Sequence, residues 1–183
     1  MLAYVFWHWP KDERSARSYE SALKKFHDVL ARRKPDGFVS STTFKIARLP
    51  WKHGSKAYED WYLVENFSSL GTLNEGAISP TCLSAHNAVA RLSGGGTGGV
   101  YKLRGSEASL DDSSWATWFS KPEGTKYKDF FKELSRMKSD STSRLFQRQL
   151  VLGPAPEFCL LGTIPVKLRG LARPVTVRMR SLN

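Results

Sequence analysis

The sequence predicts an α+β chain built from two β-α-β-β modules in tandem, the second degenerate. Three observations carry this. An apolar, aromatic run (Leu2 to Trp9) stops at Pro10 and leads through a charged loop into an amphipathic helix with Tyr19, Leu23 and Phe26. The same order returns after residue 114: Trp115 to Phe119, a stop at Pro122, a charged loop, and a helix with Tyr127, Phe131 and Leu134. Tyr is followed at +4 and +7 by apolar residues in both helices, and strand-like segments follow each. A repeat of this length is no solenoid unit, because one copy already approaches domain size. The modules are therefore expected to pack as an intramolecular α+β barrel, each covering a face the other leaves open. The expected boundaries are residues 1–104, a linker at 105–114, and residues 115–183.

The first strand (2–9) is apolar at both parities, so it is expected to be central and buried on both faces. Ala16, Tyr19, Leu23, Phe26 and Leu30 recur at three- and four-residue steps, predicting a helix over about 15–33 that ends in the basic Arg32-Arg33-Lys34. Pro35-Asp36-Gly37 is a turn, strand 2 covers 38–48, and strand 3 covers 57–65 with Tyr58, Trp61 and Tyr62. Ser68 or Ser69 caps a second helix from Leu70 that Pro80 breaks or kinks before it runs on to about Leu92. A fourth strand is expected at 100–104. The second module reads as strand 115–120, helix 124–138, and strands 143–152, 157–163 and 174–182, with no room for a second full helix.

Composition narrows the function classes. Forty per cent hydrophobic and 12 per cent aromatic residues describe a globular chain with either an aromatic core or an aromatic-lined cavity. Cys82 and Cys159 form no disulfide framework and no metal spacing, and they read as reduced thiols of a cytoplasmic protein. No secretion signal is expected at the N-terminus, and no run approaches the ~18 apolar residues of a membrane helix. The net charge is +11, and after Glu157 only basic residues follow (Lys167, Arg169, Arg173, Arg178, Arg180). These charges are dispersed and lack interleaved aromatics, so no specific nucleic-acid or membrane partner is expected.

Gly94 to Gly99 satisfies G-x-G-x-x-G to the letter, but it follows a helix and precedes a strand, the reverse of a dinucleotide-binding loop, and reads as a flexible turn. The four histidines have no metal-ligand spacing. His53 falls in a hairpin loop, His27 at the edge of the first helix's apolar stripe, His8 on the strand face of Tyr4 and Phe6, and His86 on the apolar stripe of the second helix. Imidazoles are costly to bury without use for their polar atoms, which singles out His8 and His86. Glu59-Asp60 and Asp111-Asp112 are sequence neighbours, expected to point apart or into solvent. No G-x-S-x-G nucleophile signature occurs.

The stretch Trp61-Tyr62-Leu63-Val64-Glu65-Asn66-Phe67-Ser68-Ser69-Leu70, running through Pro80 to Ala85-His86-Asn87-Ala88-Val89, resembles the dimeric α+β barrel superfamily of ferredoxin-like modules. That group includes antibiotic-biosynthesis monooxygenases, haem-degrading monooxygenases and stress-related proteins. The resemblance covers about the first 105 residues closely and the remainder as a degenerate copy. In haem-degrading members it implies an Asn on strand 1, a Trp on helix 2 and a later His. Only His86 matches, since strand 1 offers His8 and helix 2 has no Trp. Chlorite dismutase-like two-module barrels place a haem-binding His in the second module, and no His follows His86 here. No cofactor is therefore expected.

The resulting expectation is a pocket between the first module's sheet and helices. His86 and His8 are the candidate catalytic residues, and Tyr4, Trp61 and Tyr62 the candidate ligand-binding residues. An apolar cleft with few convergent polar groups suits a small aromatic or quinone-like ligand. A His would act as general base on a phenolic substrate that reacts with oxygen without a bound cofactor. The alternative is a non-enzymatic binding or assembly module that offers its basic surface to anionic partners. The chain is expected to be a monomer or a homodimer.

Overall fold

The computed structural model describes residues 1–47, 49, 51, 57–105, 110–137, 143–150, 153, 155–168, 171 and 174–182. In chain order these form β1 (Leu2–Pro10), α1 (Ala16–Arg33), β2 (Phe38–Ile46), β3 (Ala57–Val64), α2 (Phe67–Ala77), α3 (Pro80–Leu92), β4 (Ser93–Leu103), β5 (Trp115–Phe119), α4 (Tyr127–Met137), β6 (Arg144–Gln149), β7 (Phe158–Gly162) and β8 (Val175–Ser181). The strands close into one barrel in the order β1-β3-β2-β8-β5-β7-β6-β4, with neighbours antiparallel. Both β1 and β5 are interior to their halves, β1 between β3 and β4 and β5 between β8 and β7. Two seams join the halves: β2 to β8 (Phe44 opposite Ser181) and β4 to β6 (Val100 opposite Gln149).

Closure explains the double-sided apolarity of the first strand. Ala3, Val5 and Trp7 enter a lumen shared with Trp61, Trp118, Phe146 and Cys159. Trp118, from the second half, packs against Trp7 at 5.4 Å and Trp61 at 6.0 Å between ring centroids. Burying each such side chain contributes about 1.5–3 kcal/mol, so the lumen holds the halves together. Outside the barrel, Phe26 and Leu30 of α1, Leu73 of α2 and Cys82 of α3 cover the first half. The second half is covered by Phe130 and Leu134 of α4.

Two local expectations are corrected. The cap of the second helix is neither Ser68 nor Ser69 but Asn66, which accepts from the Ser69 N–H; Pro80 breaks that helix as expected and opens α3, where its missing N–H costs nothing. The glycine run is not a turn. It is the first half of β4, paired with β1 from Pro10 to Leu2. His53 lies outside the described residues.

Candidate functional site

Successive strand residues face opposite ways, and the register decides what meets on each side of the sheet. On the helix side, Tyr4, Phe6 and His8 of β1 lie opposite Tyr62, Asp60 and Tyr58 of β3, which in turn face Ser41, Thr43 and Lys45 of β2. On the lumen side, Val5 and Trp7 face Trp61 and Glu59. The neighbouring carboxylates Glu59 and Asp60 thus point apart as expected. Neither reaches solvent, however: both are buried, one on each side of the sheet.

Between the helix side and α1–α3 lies a cavity of about 1000 Å³. Tyr4, Phe6, Tyr62 and Phe26 form much of its apolar wall, with Leu70, Leu73 and Ala77 of α2 and Val89 of α3 across from the sheet. The rings lie nearly parallel side by side, with Tyr4–Phe6 centroids 6.2 Å, Phe6–His8 5.3 Å and Tyr4–Tyr62 6.0 Å apart. Two glycines of β4 make room for them. A Cβ at Gly96 would sit 2.3 Å from the Phe6 ring and one at Gly98 2.8 Å from the Tyr4 ring.

At its polar end, the cavity meets a carboxylate held between two imidazoles. Asp60 accepts hydrogen bonds from the Thr43 hydroxyl on Oδ1 (2.7 Å) and from the Tyr62 hydroxyl on Oδ2 (2.9 Å). His8 Nε2 lies 3.1 Å from Oδ1, off the line of a hydrogen bond, and His27 Nε2 lies 3.3 Å from Oδ2. Burial alone would raise the Asp60 pKa. The imidazoles of His8 and His27 outweigh it and hold the carboxyl well below the usual range. With an ionised carboxylate beside each Nε2, the ring proton belongs on Nε2 in both histidines, which leaves Nδ1 as acceptor. His8 Nδ1 is 2.7 Å from the Tyr19 hydroxyl, and His27 Nδ1 is 2.8 Å from Ser41 Oγ. Burial pushes Tyr19 up to about 12, so its hydroxyl is a neutral donor to His8. Tyr19, His8 and Asp60 all line the cavity and form one polar line, and His27 stands behind Asp60.

The structure places four of the five expected site residues on the cavity: His8, Tyr4, Tyr62 and His86. His86 is half-buried and reaches the cavity from α3. Its Nδ1 is 3.2 Å from Asn87 Oδ1, and its ring stands edge-on to Phe26 at 5.9 Å. Trp61 requires correction: its parity sends it into the lumen, fully buried, where its indole N–H donates to Glu59 at 3.3 Å. Sequence reasoning missed Asp60, His27 and Tyr19. The available signal was parity, since Asp60 shares its strand face with Tyr58 and Tyr62 in a strand expected to be aromatic and buried.

No family model matches the sequence, and neither does any curated protein. Solved structures do resemble it. A protein provisionally called a monooxygenase, from Fusobacterium nucleatum subsp. nucleatum, superposes with a TM-score of 0.66 at 9% identity, over 100% of this chain and 92% of its own. Another so described, from Lactobacillus acidophilus, gives 0.61 at 10% identity over 100% and 94%. An anthrone oxidase-like protein gives 0.57 at 8% over 99% and 93%. These likenesses establish the architecture: the chain shares the α+β barrel fold of these proteins and of one provisionally called a chlorite dismutase, built from two fused ferredoxin-like modules.

Proposed function

We propose that the cavity binds a small planar aromatic or quinone-like molecule bearing an ionisable hydroxyl, and that Tyr19, His8 and Asp60 remove its proton in a cofactor-independent, monooxygenase-like reaction. The observation that carries this reading is the junction of a wall of parallel aromatic rings with a fully buried carboxylate paired to two imidazoles. Tyr4, Phe6 and Tyr62 offer flat apolar surface, which favours a planar ring system over a flexible chain. The ligand hydroxyl gives its proton to Tyr19 Oη as the Tyr19 proton passes to His8 Nδ1. The imidazolium so formed keeps its Nε2–H beside the Asp60 carboxylate, which stabilises it without being protonated, as in a nucleophile-histidine-carboxylate triad. The ionised ring is electron-rich and supplies the electrons for its own reaction with dissolved oxygen.

The test is a set of hydroxylated naphthalenes and anthraquinones, titrated against the protein and followed by the visible band of the ionised ligand and by oxygen uptake. Wild-type protein should bind them in ionised form below their solution pKa. His8→Gln and Tyr19→Phe should lower any turnover by about 10²–10⁴-fold, the usual worth of a positioned base. Binding that leaves the ligand neutral, or variants that turn over like wild type, would remove the base from this reading.

A further inference from the structure

Helix α2 supplies a part of the cavity wall that the proposed base does not use, and one residue of it answers to no demand of the fold. Phe67, Gly71, Asn74 and Ile78 follow one another at steps of four, three and four, so they form one stripe of the helix. All four are exposed and all four line the cavity, which makes this stripe a rim of its opening. Phe67 and Ile78, at the two ends of the rim, are large apolar residues left 50% and 53% exposed. Gly71 sits between them. Its backbone is helical, and a Cβ there would meet nothing within 4 Å among the described residues. Glycine weakens a helix interior relative to alanine, and here neither the backbone nor the packing requires it. Gly76, further along the same helix, differs: its Cβ would lie 2.8 Å from Pro35 Cγ.

The rim also lies at the end of the cavity away from the base. Gly76 lies against Pro35 and Ser69 against Gly37, so α2 packs on the turn ahead of β2. β2 starts at Phe38 opposite Val64, and Val64 stands opposite Leu2, at the far end of β1 from His8. A ligand with its hydroxyl at Tyr19 therefore runs along His8, Phe6 and Tyr4, whose rings are spaced 5.3 and 6.2 Å apart, toward α2. We infer that Gly71 is a specificity-determining residue: it leaves a gap in the rim through which the ligand passes an apolar chain, carried on the side of its ring system away from the hydroxyl, onto Phe67 and Ile78. This rests on the reading above that the ligand hydroxyl meets Tyr19. Of the four rim residues only Asn74 is polar, so the rim suits a hydrocarbon chain rather than a charged group. The volume agrees, since about 1000 Å³ is at the top of the range that encloses drug-sized molecules and leaves space beyond a planar head group.

The experiment uses full-length protein and 2-naphthols carrying a straight alkyl chain at carbon 6, from methyl to hexyl, titrated by calorimetry. In wild type each added methylene should tighten binding about two- to fourfold, so the hexyl compound should bind at least about thirtyfold more tightly than the methyl one. Gly71→Leu puts a side chain into the gap and should cut that ratio at least about tenfold. Removing the apolar ends of the rim in Phe67→Ala combined with Ile78→Ala should cut it about fivefold. Gly71→Ala asks whether the glycine serves the fold, and it should raise the thermal midpoint by about 2–4 °C. Circular dichroism reports whether each variant is folded. A wild-type series whose affinity does not rise with chain length, a folded Gly71→Leu that keeps the wild-type ratio, or a Gly71→Ala midpoint at or below that of wild type would each overturn the inference and leave the base reading standing. If none of the naphthols binds, that reading fails and the inference falls with it.

Discussion

Asp60 and Glu59 are adjacent carboxyls with opposite fates, decided by which side of the sheet each faces. Asp60 has two imidazoles and two hydroxyl donors, whereas Glu59 has indole N–H donors from Trp7 at 3.1 Å and Trp61 at 3.3 Å and no cation. Burial therefore wins at Glu59 and pushes it from 4.5 to about 7. A folded-state value above the unfolded one means stability that is full below about pH 4.5 and lost as pH rises through about 7. Glu59→Gln should therefore be about 3 kcal/mol more stable than wild type at pH 8 and nearly equal to it at pH 4.5, read by urea denaturation. Asp60 has the opposite sign, its contribution being present above its ordinary 3.8 and lost only in strong acid. Asp60→Asn loses the carboxylate that accepts from the Thr43 and Tyr62 hydroxyls and should cost about 1–3 kcal/mol at pH 7, measured the same way.

At the scale of elements, β4 shows what the glycine run is for. Its glycines neither cradle phosphate nor form a loop; they let Phe6 and Tyr4 lie down across the neighbouring strand. A Cβ at Gly96 would meet not only the Phe6 ring but also the backbone oxygen of Trp7 at 2.9 Å, so the strand itself must shift. Gly96→Ala should lower stability by about 1–3 kcal/mol and weaken ligand binding, which thermal denaturation and calorimetric titration would register separately. On the other half, Phe130 and Leu134 fasten α4 to the sheet at Phe119 and Phe158. Phe130→Ala should cost about 3–5 kcal/mol while leaving the distant cavity's ligand affinity unchanged.

The whole molecule is one barrel because neither half has a core of its own on the lumen side. Residues 1–104 produced alone would expose Trp7, Trp61 and Tyr101, now covered by Trp118 and Phe146. That fragment should self-associate or bind a hydrophobic dye, where the full chain should not; size exclusion with light scattering and dye fluorescence would show it. The net charge of +11 is a property of the same scale. Nucleic-acid binding should be weak and lost by about 0.2 M salt in fluorescence anisotropy, since Arg178 lies over the Trp115 ring and Arg180 adds to the field on Glu20.

The sequence by itself determined the element order, the repeat and the barrel. These follow from periodicity: apolar residues at both parities of β1 require cover on both faces, and the recurring helix supplies a second half to provide it. It also determined that His8, Tyr4 and Phe6 share a face, because strand parity is local. Only the tertiary structure decided what stands opposite that face. The register of β1 on β3 brings Asp60 to His8 and sends Trp61 into the lumen, and the packing of α1 brings His27 to the same carboxylate and Tyr19 to His8. Those contacts join residues 11 to 52 positions apart, and no local pattern encodes the pairing offset on which they depend. The glycines of β4 were misread for the same reason: the rings that require them belong to another strand.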